Sequence, residues 1–75
     1  MGFGRNPYVA KAEAAEQKAS AARDDGAREQ AWREAGRQWE RAADRETDDR
    51  RRQEYTGKAE AARATADGDP VEEPN

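Results

Sequence analysis

The chain contains neither leucine nor isoleucine, and alanine supplies 17 of the hydrophobic residues among its 75 positions. Only Met1, Phe3, Tyr8, Val9, Trp32, Trp39, Tyr55 and Val71 are apolar and larger than alanine. A fold has to be built from alanine. Charged residues make up 41% of the chain, a composition that often signals disorder. Alanine opposes that outcome, because it is the strongest helix former and loses no rotamer entropy on folding.

Proline occurs only at positions 7, 70 and 74, so the stretch from Tyr8 to Asp69 holds no obligatory helix breaker. Asn6 followed by Pro7 reads as an N-cap with proline at the first helical position, and Gly68-Asp69-Pro70 reads as the stop. Between these marks, apolar residues recur at spacings of four and three. Tyr8, Ala12, Ala15, Ala19 and Ala22 form one stripe; Trp32, Ala35, Trp39 and Ala42 form a second; Tyr55, Ala59, Ala62 and Ala66 form a third. Asp24-Asp25-Gly26 separates the first two, with Gly26 expected as a left-handed helix terminator. Glu46-Thr47-Asp48-Asp49 separates the last two, with Thr47 or Asp48 as a cap.

The expected fold is all-α: a small antiparallel three-helix bundle with helices over about 7–25, 27–46 and 48–67, in a domain spanning 7–67. The alternative is a hairpin whose second helix runs unbroken from about 27 to 66. Residues 1–6 are expected to be flexible, and 68–75 an acidic disordered tail. The expected core is Tyr8, Trp32, Ala35, Trp39, Ala42, Tyr55, Ala59 and Ala62. Trp32 and Trp39 lie one heptad apart, and their ring edges are expected near the surface so that each indole N–H finds a partner. With so little large apolar surface and no cysteine to cross-link it, an isolated monomer is expected to be marginally stable.

Opposite charges four apart (Glu29 with Arg33, Glu46 with Arg50, Asp48 with Arg52, Glu54 with Lys58) have the acidic member first, the favourable order. Arg33, Arg37, Arg41 and Arg45 form a row at uniform spacing of four on the middle helix, and Arg50, Arg51 and Arg52 extend it. Like charges at that spacing repel, so the row needs acidic neighbours or an anionic partner. Residues 1–66 carry 14 basic and 13 acidic groups, and the last nine residues carry four acidic groups and no basic one. The net charge of -3 is therefore a property of the tail. A balance this even makes a salt-bridged solvent face the first use of the arginines; docking of an acidic protein is the second and nucleic-acid binding the third.

Catalysis has almost no foothold. With no histidine and no cysteine, the commonest general base, metal ligand and thiolate nucleophile are all missing. Asp24-Asp25 and Asp48-Asp49 sit at helix boundaries, where carboxylates cap. Asp67-Gly68-Asp69 lacks the rest of a calcium loop, and Gly2-Phe3-Gly4 lacks the strand and third glycine of a dinucleotide site. No catalytic, cofactor-binding or metal-binding residue is expected, and no cofactor.

The run Ala31-Trp32-Arg33-Glu34-Ala35-Gly36-Arg37-Gln38-Trp39-Glu40-Arg41-Ala42-Ala43 resembles the first helix of a tetratricopeptide repeat, with aromatics flanking a small pair. Tyr55, Lys58, Ala59, Ala62 and Asp67-Gly68-Asp69-Pro70 resemble the end of such a repeat's second helix. The pattern is also similar to the microtubule-interacting-and-trafficking domain, a three-helix relative. What the resemblance implies is helical architecture and a peptide-in-groove binding role. The chain is thus expected to be a non-enzymatic protein-interaction or assembly module, binding a partner or itself through helix faces. The alternative is an accessory nucleic-acid or polyanion binder acting through the arginine row. No membrane segment is evident, the expected location is cytoplasmic, and the heavy use of Ala, Arg, Asp and Gly with few Lys and no Ile suggests a GC-rich bacterial genome.

Overall fold

The structure, a computed structural model, describes residues 6–68. These form three helices: α1 over Pro7–Ala21, α2 over Asp25–Arg45 and α3 over Asp49–Ala66. The fold is a small all-α three-helix bundle. Apart from Asn6 and Gly68 at their edges, the segments expected to be flexible or disordered lie outside the described residues.

Each helix starts on a side-chain cap. Asn6 Oδ1 accepts from the Tyr8 N–H, with Pro7 in the first turn where its missing donor costs nothing. Asp24 accepts from the Ala27 N–H at 2.7 Å, and Asp48 accepts from the Arg50 N–H at 3.0 Å. Asp25 and Asp49 then occupy the first turns of α2 and α3, where carboxylates meet the positive end of the helix dipole.

That chemistry corrects the expectation for Gly26. Two adjacent aspartates favour starting a helix over ending one, so Asp24 caps α2 and Gly26 lies inside its first turn. The first helix stops at Ala21, earlier than expected, with Ala22 in extended conformation. Gly68 alone, among the described residues, has the left-handed conformation (φ 81°), just beyond the end of α3. Glu46, extended at φ -78° and ψ 132°, breaks the chain between α2 and α3, which rules out the single long second helix.

Three-residue connections at 22–24 and 46–48 make neighbouring helices antiparallel. The Asn6 side chain also donates to the Ala42 carbonyl at 2.9 Å, fastening the start of α1 to the end of α2. Helix α2 is central: α1 and α3 both pack on it, and their backbones do not approach each other closely. The buried residues are Ala12, Ala15 and Ala19 on α1, Ala31, Ala35, Gly36, Trp39, Ala42 and Ala43 on α2, and Ala59, Ala62 and Ala66 on α3. Of the expected core residues, Ala35, Trp39, Ala42, Ala59 and Ala62 are buried, while Tyr8, Trp32 and Tyr55 pack against them half-buried. Ala12, Ala15, Ala19 and Ala66 of the expected stripes join them, and on α2 Ala31, Gly36 and Ala43 are additional, because a helix with a neighbour on either side has to bury more than one stripe.

Trp39 is 1% exposed and is the largest fully buried side chain. It spans the gap between the outer helices. Its indole N–H donates to Glu16 Oε2 of α1 at 2.8 Å. Its ring stacks on Tyr55 of α3 with centroids 5.6 Å apart and planes inclined at 26°. The ammonium of Lys58, 5.1 Å from the ring centroid, adds a cation-π contact. The expectation of a surface-exposed ring edge is corrected for Trp39: a carboxylate reaches the indole N–H, so the ring need not seek water.

Two sets of substitutions test this packing. Trp39→Ala should cost roughly 3–5 kcal/mol, enough to abolish the cooperative thermal transition followed by circular dichroism. Glu16→Ala should cost about 1–3 kcal/mol by orphaning the indole N–H, with Glu16→Gln milder because it keeps an acceptor. The second set separates two glycines. A Cβ at Gly57 meets nothing within 4 Å, so Gly57→Ala should raise stability by about 0.5–1 kcal/mol through helix propensity. A Cβ at Gly36 lies 3.2 Å from Arg63 Cγ and 3.4 Å from the Ala59 carbonyl; Gly36→Leu should force α2 and α3 apart and cost about 1–3 kcal/mol in urea unfolding.

Candidate interaction groove

The arginines divide into committed and uncommitted groups. Arg33 donates to Glu29 at 2.9 Å and to Asp67 at 2.8 Å, which ties the middle of α2 to the end of α3. These two carboxylates raise the Arg33 pKa above its ordinary value, Glu29 more than Asp67. Arg37 pairs with Glu34 at 2.6 Å. Arg51 lies 4.0 Å from Asp48, and Arg52 lies 3.8 Å from Asp49. Arg41, Arg45 and Arg50 have no ion pair among the described residues.

Only the first of the four expected acid-first pairs forms, Glu29 with Arg33. Glu46 and Asp48 flank helices instead of lying within them, so helical spacing does not bring Arg50 or Arg52 opposite them. Spacing of three takes over at the start of α3, joining the capping Asp48 to Arg51 and Asp49 to Arg52. A cross-helix pair absent from the sequence reasoning, Arg63 with Glu40, clasps α3 to α2.

An open groove of about 900 Å³ lies between α1 and α2. Ala14, Ala15, Ala27 and Ala31 are its apolar lining; Lys11, Lys18, Arg33 and Arg37 are its cations, and Glu34 is its one acidic group. Lys11 and Lys18 are seven apart on α1, hence on one face. Lys11 is steadied by a cation-π contact with Tyr8, its ammonium 5.5 Å from the ring centroid. Neither lysine has an ion pair among the described residues.

On the α2 wall, Glu34 is held by its own helix. It accepts from Gln38 Nε2 at 2.5 Å and from Arg37 at 2.6 Å. Those bonds, the Gln38 amide first and the Arg37 guanidinium second, lower the Glu34 pKa below 4.5. A carboxylate only accepts, so the amide must turn its NH₂ toward Glu34. Gln38 Oε1 is left buried without a partner among the described residues.

The arginine row therefore does not converge on one site. Arg33 and Arg37 line the groove, Arg41 and Arg45 lie farther along α2, and Arg50, Arg51 and Arg52 belong to the exposed first turn of α3. Lys11, Lys18 and Gln38 were missed from the sequence. The lysine spacing of seven was a readable signal, but which flank of α1 stays open depends on how it packs. A smaller cleft of about 350 Å³ separates the starts of α1 and α3, bordered by Val9, Glu13, Glu46, Arg51 and Tyr55. Among the described residues there is no cluster of potential metal ligands and no helix long and apolar enough to cross a membrane. Compared with protein-family models, curated proteins and solved structures, the chain matches none.

The Glu34 linkage has a definite sign. Its pKa is lower in the folded chain than the 4.5 of a free carboxyl, so its contribution to stability is present above pH 4.5 and is lost as pH falls through the folded-state value. Glu34→Gln should therefore lower the urea midpoint at pH 7. The gap between variant and parent should close progressively in titrations below about pH 4.5.

Proposed function

We propose that the chain is a non-enzymatic protein-interaction module that takes a segment of a partner protein into the groove between α1 and α2. The observation that carries this reading is the groove itself: an alanine lining bordered by lysines that have no carboxylate partner among the described residues. Concave surfaces with an apolar lining and a few placed polar groups are the ordinary form of a binding site. A groove between two helices suits a helical or extended peptide. The peptide-binding role implied by the tetratricopeptide-like pattern agrees with this use, and a cytoplasmic setting is part of the same proposal.

The absence of histidine and cysteine supports a binding role over a catalytic one. A second reading, attachment to a polyanion, draws support from Arg41, Arg45 and Arg50, three of the arginines without ion pairs among the described residues. It is weaker, because acidic Glu40 and Asp44 are interleaved with these arginines on the exposed side of α2.

The two readings separate by site-specific photo-crosslinking in extract of the source cells. A photoreactive residue at Gln30, in the groove, should form a protein adduct that survives nuclease treatment. The same residue at Gln53, on the exposed side of α3, should form none. An adduct at Gln53 that nuclease removes, with none at Gln30, would replace the protein-binding reading with the polyanion one.

A further inference from the structure

We infer that the occupant of the α1/α2 groove is an acidic α-helix of another protein, with small side chains on its contact face and carboxylates seven residues apart along its flank. The inference rests on the groove being the binding surface. Ala14, Ala15, Ala27 and Ala31 project no farther than a methyl group, so a helix can settle close against them provided that its own contact residues are small. The two walls are themselves helices, and a third laid between them repeats the packing that α2 already makes with α1 and α3.

Charge selects the chemistry of that helix. Lys11 and Lys18 are separated by seven helical residues, about 10.5 Å at 1.5 Å per residue. An adjacent helix lying along α1 presents carboxylates at the same interval when they too are seven apart. On the opposite wall, Arg37 and Arg33 have already engaged Glu34, Glu29 and Asp67. The lysines are thus the cations left for an incoming carboxylate.

A second copy of this chain does not supply the complement. Helix α1 carries two basic and two acidic residues, α2 five of each, and α3 five basic and three acidic. None of the three is net acidic, so the acidic helix comes from a different protein.

The probe is a 21-residue, end-capped, alanine-rich peptide with glutamates seven apart on both flanks of an alanine stripe. It is titrated into the full chain and followed by fluorescence anisotropy and by amide chemical shifts. Saturable binding is expected, with shifts at Ala14, Ala27 and Ala31. Affinity should fall at least tenfold for the doubly substituted Lys11→Gln/Lys18→Gln chain, whose fold is checked by circular dichroism. It should fall similarly when the peptide's glutamates become glutamines or a central proline blocks its helix, and stay unchanged in Arg45→Gln.

Absence of binding, or binding indifferent to the two lysines, overturns the inference. Equal affinity for the proline peptide also overturns it, in favour of an extended acidic segment. So does a tenfold gain on truncation after Gly68, which would make this chain's own acidic C-terminal residues the occupant. Displacement of the peptide by a single-stranded oligonucleotide at equal concentration overturns it in favour of a polyanion. The Gln30 crosslink can succeed with a partner that is neither acidic nor helical, so failure here leaves the broader reading distinguishable.

Discussion

The bundle depends on Trp39. A chain whose interior is otherwise mostly methyl groups has little with which to define how three helices sit, because alanine seams can slide at small cost in contact area. One indole removes that freedom by making different chemical contacts on its two sides: a hydrogen bond to Glu16 of α1 and a stack on Tyr55 of α3. It also explains why α1 and α3 both pack on α2 while their backbones stay apart. A ring of this size occupies space that alanine alone could not hold open, and close packing tolerates no void of that volume.

Polar contacts then secure the ends. Asn6 caps α1 and, through its amide, also holds the Ala42 carbonyl at the end of α2. At the other end of the molecule Asp67 reaches Arg33, and between them Arg63 meets Glu40. Exposed ion pairs each contribute little, typically below about 1 kcal/mol. Their value here is geometric: both charged bridges join α2 to α3, the two helices that meet at Gly36, where a Cβ would lie 3.4 Å from the Ala59 carbonyl.

The all-α class, the cap at Asn6 and the three alanine stripes were legible because each rests on local rules of spacing and capping, while the choice between Thr47 and Asp48 as cap and the break before α3 were left open. Gly26 misled because glycine near two aspartates fits either a helix end or a helix start, and the capping bond from Ala27 to Asp24 settles it only in three dimensions. Gly36 and Ala43 were passed over for a different reason. A single amphipathic stripe describes a helix with one neighbour, and α2 has two. The partner of Trp39 was illegible altogether: Glu16 stands beside Ala15 in a run of alanines and charges, and nothing in its spacing distinguishes it from Glu13.

The same limit governs the groove. Arginines dominate the charge pattern of the sequence, yet the fold directs Arg33, Arg37, Arg52 and Arg63 toward carboxylates of its own. Helical periodicity marks the side of α1 that faces α2, but the flank left open beside it is decided by the position of α3 on the far side of Trp39. Because the outer helices are held apart, α1 keeps a flank that neither neighbour covers, and Lys11 and Lys18 lie along it. An alanine-built bundle thus meets its surroundings with backbones that can be approached closely, and selectivity has to come from charges placed around that approach. In this chain the lysines border the groove while the arginines are spent largely within the fold, so the less conspicuous cations shape the candidate site.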